Sequence, residues 1–149
     1  MRKYTVLMVL ALAFSLIIGT LVSPSVRANV IQAEVNIDPD SLLLEERNHG
    51  RWITAYIGLP EGYDVNDIDV LSVTLQVLGV GVSGSRDDIQ GNVLMVKFDR
   101  VFVRNILLSM TEHMSPHVKE EVTLEVIGTL YDGDTFRGSD TIKVFFTQP

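Results

Sequence analysis

Past residue 29 the chain alternates between apolar and polar positions with the short period of β-strands, broken by turn residues roughly every ten positions. Residues 32–37 set Ala33, Val35 and Ile37 on one face and Gln32, Glu34 and Asn36 on the other. Asp38-Pro39-Asp40 predicts a turn, residues 41–44 a short strand and residues 45–50 a polar loop closing on Asn48-His49-Gly50. Residues 51–59 are rich in β-branched and aromatic side chains and stop at Pro60. Residues 61–69 predict a loop or a single helical turn. Residues 70–82 then read as one long strand, bent near its end by Gly79, Gly81 and Gly84, and residues 83–91 as a polar loop.

The second half continues the pattern. Residues 92–98 predict a strand with Val93 and Met95 opposite Leu94 and Val96. One helix is expected over residues 100–111, capped by Asp99, because Val103, Ile106, Leu107 and Met110 recur at helical spacing. Met114 to Pro116 closes it. Val122, Leu124 and Val126 alternate along residues 121–130, Tyr131-Asp132-Gly133-Asp134 makes a hairpin turn, and residues 136–146 return. Six or seven strands at this spacing predict an all-β domain with one short helix. The expected architecture is an antiparallel β-sandwich of immunoglobulin-like type, with a partly open barrel as the alternative.

The first 28 residues follow a different rule. Arg2 and Lys3 precede a stretch without charge, residues 4–26, whose apolar heart is residues 6–22. Ser23-Pro24-Ser25 breaks a helix there, and Val26-Arg27-Ala28 supplies the small residues that signal peptidase requires. The pattern predicts a secretory signal peptide over residues 1–28, cut between Ala28 and Asn29, leaving a single domain over 29–149. The competing expectation is an uncleaved membrane anchor, since residues 5–22 just reach the minimum length for a span. No cysteine follows the run, so a lipoprotein anchor is excluded.

Composition narrows the picture. Arg2, Lys3 and Arg27 fall in the signal segment and no acid does, so the rest carries nine basic against 19 acidic residues, a net charge of −10. Such a surface repels phosphate backbones, and nucleic acid is not an expected partner. An exported domain with no cysteine rests on its core alone, which fits a bacterial or archaeal product.

Several stretches carry a resemblance: Val35-Asn36-Ile37-Asp38-Pro39-Asp40-Ser41-Leu42, then Arg51-Trp52-Ile53-Thr54-Ala55-Tyr56-Ile57, then Leu59-Pro60-Glu61-Gly62-Tyr63-Asp64-Val65. Val96-Lys97-Phe98-Asp99-Arg100 and Gly138-Ser139-Asp140-Thr141-Ile142 add to it. Together they resemble a β-rich module that recurs in exported and cell-surface proteins of archaea and bacteria. The resemblance spans nearly all of residues 29–149 and implies a cell-surface setting without implying an activity. Members often carry an Asp/Gly-rich segment before the Val-Lys-Phe-Asp-Arg stretch. Ser85-Arg86-Asp87-Asp88-Ile89-Gln90-Gly91 stands there instead, which does not support calcium at that place.

Three groups of residues are candidates for chemistry. Asp64, Asp67 and Asp69, and separately Asp132 and Asp134, are spaced so that they could offer oxygens to calcium; they are equally the residues that turns use for their own hydrogen bonds. Trp52, Tyr56 and Tyr63 could form an aromatic platform for a sugar, with Trp52 and Tyr56 on one strand face. The pattern favours the alternative, a core tryptophan like that on strand C of immunoglobulin domains. His113 and His117 have metal-ligand spacing on a helix, but Pro116 lies between them. No nucleophile elbow or cysteine nucleophile occurs, and Glu45-Glu46 and Glu120-Glu121 would point to opposite strand faces. The expected function is therefore non-enzymatic: a secreted or cell-surface structural or interaction module contacting another extracellular or cell-envelope protein, with membrane contact only through an uncleaved signal. The alternative is an extracellular glycan- or calcium-binding module. A third idea is that strand 29–37 adds to a neighbour's sheet edge.

Overall fold

A computed structural model describes residues 29–44, 50–110 and 118–146. The described residues form ten strands, one 3-10 turn and one α-helix. In chain order these are β1 (Val30–Gln32), β2 (Glu34–Asp38), β3 (Ser41–Leu43), β4 (Trp52–Gly58), the 3-10 turn Val65–Asp67 and β5 (Ile68–Val77). There follow β6 (Val80–Ser83), β7 (Arg86–Gln90), β8 (Val93–Asp99), α1 (Arg100–Met110), β9 (Val118–Leu130) and β10 (Thr135–Phe146).

The strands make two sheets. Sheet A has the order β1-β10-β9-β5-β6, with β3 also paired to β10; sheet B has the order β2-β4-β8-β7. Alternation explains why they face each other. Val73, Leu75 and Val77 of β5, Leu124 and Val126 of β9, and Phe136, Ile142 and Val144 of β10 are buried from sheet A. Ile37, Ile53, Ala55, Ile57, Leu94, Val96 and Phe98 are buried from sheet B, and all belong to one core cluster. Apolar burial on the two inner faces is what holds a sandwich together, and no disulfide assists it here. Helix α1 follows β8, adding Val103 and Leu107 to the core. It starts where expected, with the Asp99 carboxylate accepting the Val101 N–H at 2.8 Å.

Four expectations are corrected. Residues 32–37 are not one strand: the chain leaves sheet A after β1, pairs in sheet B as β2, and returns as β3. The sandwich is antiparallel-rich as expected, with the short strands β1 and β3 added in parallel along β10. Residues 70–82 are two strands, because Leu78 and Gly79 both adopt positive φ (53° and 83°) and make a tight hairpin turn. Residues 86–90, expected as loop, form the exposed edge strand β7, whose Arg86, Asp87 and Asp88 discourage further edge pairing. Trp52, favoured as a core residue, is half-buried on the outer face of sheet B; Phe98 and Phe136 are the large buried aromatics instead.

Where the chain switches sheets, backbones come close. The Ala33 N–H donates to the Arg137 carbonyl at 2.8 Å, and a Cβ on Gly138 would lie 2.5 Å from the Ala33 carbonyl oxygen. Between the stretches of β10 covered by β1 and by β3, the Asp140 carboxylate takes the Ile37 N–H at 2.8 Å. At a later crossing, from β6 to β7, a Cβ on Gly84 would meet Val96 at 2.6 Å.

Candidate functional site

Strand register defines the outer face of sheet B. Trp52, Thr54 and Tyr56 project outward from β4, since their neighbours Ile53, Ala55 and Ile57 are buried. Thr54 stands between Asp38 of β2 and Lys97 of β8, and Lys97 stands beside Arg86 of β7. In the next outward row Tyr56 lies between Asn36 and Met95, with Asp88 beyond. Thr54 is only 9 % exposed although it points outward, so the larger side chains around it cover it.

The Trp52 end of this face is basic. The Arg51 guanidinium carbon lies 4.7 Å from the Trp52 ring centroid and that of Arg86 lies 5.4 Å from it. Both distances are within cation–π range, worth about 0.5–1 kcal/mol each at an exposed site. The Arg100 N–H donates to the Arg51 carbonyl at 3.0 Å, which brings Arg100 to the same end. Thus four of the nine basic residues outside the predicted signal gather here. Among the described residues no carboxylate forms an ion pair with Arg51, Arg86 or Lys97, while Arg137 and Glu125 pair at 3.5 Å on the other sheet. Asp99 lies across from Trp52, but its carboxylate is engaged by the helix N-terminus.

The three predicted aromatics are not brought together. Trp52 and Tyr56 share the outer face, about 13 Å apart along the strand. Tyr63 lies in the loop beyond the far end of β4, packs against the core and accepts a hydrogen bond at its hydroxyl from the Asn29 side chain at 3.0 Å. Arg51 and Arg86 are the functional candidates that sequence reasoning missed. Arg51 was legible only as a neighbour of Trp52, and Arg86 was hidden by reading β7 as a loop. Its signal was the alternation of Arg86, Asp88 and Gln90 opposite Lys97, Met95 and Val93.

The acidic candidates serve turns. Asp64 Oδ1 accepts the Asn66 backbone N–H at 2.9 Å and the Asn66 side-chain amide at 2.7 Å, which hold its carboxyl below the ordinary value of 3.8. Asp69 Oδ1 accepts the Leu71 N–H at 3.2 Å, and Asp132 Oδ1 the Asp134 N–H at 3.0 Å. Asp134 Oδ1 accepts the Asn29 N–H at 3.1 Å, and the Asp67 carbonyl accepts the Tyr131 N–H at 2.9 Å. Among the described residues no three His, Asp or Glu side chains converge on a metal position. Ala28, His113, His117, Glu45 and Glu46 lie outside the described residues.

What the face can do chemically follows from its charges. Trp52 orients planar cations, and an oriented guanidinium binds carboxylate with less entropy lost than a free one. Comparison with family models, curated proteins and solved structures gave no match.

Proposed function

We propose that the chain is an exported, non-enzymatic interaction module, cut after Ala28, that acts at the cell surface by binding an acidic stretch of another extracellular protein. The observation that carries this is the Arg51–Trp52–Arg86 stack with Lys97 beside it, a concentrated positive patch on a domain of net charge −10. Arginine and tryptophan are the residue types that most often anchor protein interfaces, and the positive patch selects a negative partner. Guanidinium groups lie over the Trp52 ring, the surface a sugar would stack on, which favours the protein partner over a neutral glycan. The resemblance to a recurring cell-surface module and an immunoglobulin-like subtype of sandwich belong to the same proposal.

The test is a pull-down from the cell envelope with wild-type bait, a Trp52→Ala bait and an Arg86→Glu/Lys97→Glu bait. A partner held by wild type, released by roughly 0.5 M salt and lost from the charge-reversed bait is the expected result. Equal capture by all three baits sinks the assignment of this face. Salt-insensitive binding to neutral oligosaccharides, abolished by Trp52→Ala alone, establishes the glycan alternative instead.

A further inference from the structure

Asn29, expected to become the first residue after export, is fixed on every side. Its carbonyl accepts the Thr135 N–H at 3.0 Å and the Thr135 hydroxyl at 3.3 Å. Its side-chain amide donates to the Tyr63 hydroxyl oxygen at 3.0 Å. With carbonyl and side chain both held, its backbone nitrogen is aimed at Asp134, donating to Oδ1 at 3.1 Å. The three residues that follow pair with β10 in parallel register, so the whole entry to the fold is tied to the β9–β10 hairpin.

The acceptor end is short of positive charge. Among the described residues neither Asp132 nor Asp134 has a Lys or Arg within ion-pair distance, and the Asp134 N–H itself bonds back to Asp132. Two carboxylates therefore share one tight turn of a strongly acidic domain with no Lys or Arg of the described residues to offset them. A neutral amide N–H satisfies one hydrogen bond there and none of the charge.

We propose that the Asp134 carboxylate is the seat of a free α-ammonium group on Asn29. Hydrolysis of the Ala28–Asn29 bond adds water across the amide. The carboxylate stays on Ala28, and the amine on Asn29 takes up a proton at neutral pH. One neutral donor becomes three charged ones at the same place, opposite an unpaired carboxylate, and the contact becomes an ion pair. Cleavage thereby fastens β1 onto its own β10 and opposes donation of residues 29–37 to a neighbouring sheet. The cut rests on the export reading; the seat does not.

The test starts from the full-length gene expressed in an exporting host. Intact mass of the exported product reads its N-terminus, and a start at Asn29 is expected. Any other start overturns the export-linked cut and leaves the seat to be measured on residues 29–149 released from a fusion with Asn29 foremost; these contain every strand and core residue described. The seat is read by the rate at which an amine reagent modifies the α-amine near pH 7, quantified by mass of the N-terminal peptide. Wild type should label about threefold or more slowly than Asp134→Asn, while Asp132→Asn should stay near wild type. Equal rates for wild type and Asp134→Asn overturn the seat. So does equal acceleration by Asp132→Asn, which would reduce it to the general field of the turn. Should Asp134→Asn not fold, Tyr63→Phe, which frees the Asn29 side chain but keeps the carboxylate, should still speed labelling, and no acceleration overturns the proposal.

Discussion

Single positions in this domain are constrained for different reasons, and the reasons predict different outcomes. At Gly138 the constraint is space: a Cβ would press on the Ala33 carbonyl and on Val35 Cγ2, each at 2.5 Å. Backbone cannot yield as a flexible side chain can, so Gly138→Ala should cost about 2 kcal/mol in denaturant unfolding. Unchanged stability would mean that the β1–β2 crossing is looser than described. At Asp64 the constraint is charge. The Asn66 backbone N–H, then its side-chain amide, favour the ionised carboxylate, so its folded pKa lies below the ordinary 3.8. The contribution to stability is fully present above the unfolded value and is lost as pH falls through the lower folded value. A carboxyl-carbon NMR titration should place the Asp64 midpoint below 3.8 and move it part of the way back in Asn66→Ala. A midpoint at or above the ordinary value contradicts the cap.

At the scale of elements, the β5–β6 hairpin places a leucine where backbone sterics resist one. Leu78 has φ of 53° and is 43 % exposed, so little packing repays the strained conformation. Leu78→Asn creates the Asn-Gly pair that such turns prefer and should stabilise by about 1 kcal/mol, visible as a higher melting temperature. Helix α1 depends on its start in the opposite sense. Asp99→Ala removes the acceptor for Val101 N–H and should cost about 1 kcal/mol, with a weaker helical signal in circular dichroism. The helix was legible because its apolar residues repeat at 3.6 and its cap precedes them. The hairpin was not, because Val77-Leu78-Gly79-Val80 is apolar throughout and carries no polar turn signal except one glycine. The bulge in β5 between Asp69 and Thr74 was equally hidden. There the Ser72 hydroxyl accepts the Thr129 N–H at 2.8 Å, a substitution for backbone pairing that serine's presence alone does not announce.

For the whole molecule, one core cluster joins both sheets and the helix, so the domain should unfold as a unit. Phe98 is fully buried at its centre, and Phe98→Ala should cost about 3–5 kcal/mol in chemical denaturation, a large share of a typical domain's stability. Because Asp64, Asp69, Asp132 and Asp134 already accept backbone N–H groups of the chain, millimolar calcium or its chelation should leave the melting temperature unchanged. A rise with calcium would require a site these turns do not provide. The patch around Trp52 exists only at this scale, since Arg51 and Arg86 stand 35 positions apart in the chain and meet over one ring.

The sequence by itself determined the fold class, the helix and its cap, the β9–β10 hairpin and the acidic balance. Each is written in neighbouring residues, as a period of two, a period of 3.6, a turn tetrapeptide or a count. Tertiary structure decided which sheet each strand joins, that the chain crosses between sheets at Ala33 and Gly84, and that Trp52 faces outward. Those outcomes depend on pairings between distant strands, and alternation within a strand fixes two faces without saying which one the partner sheet will cover. The same reason separated the aromatics. Trp52 and Tyr56 share a face by parity, while Tyr63 was claimed by Asn29 and the core across the molecule.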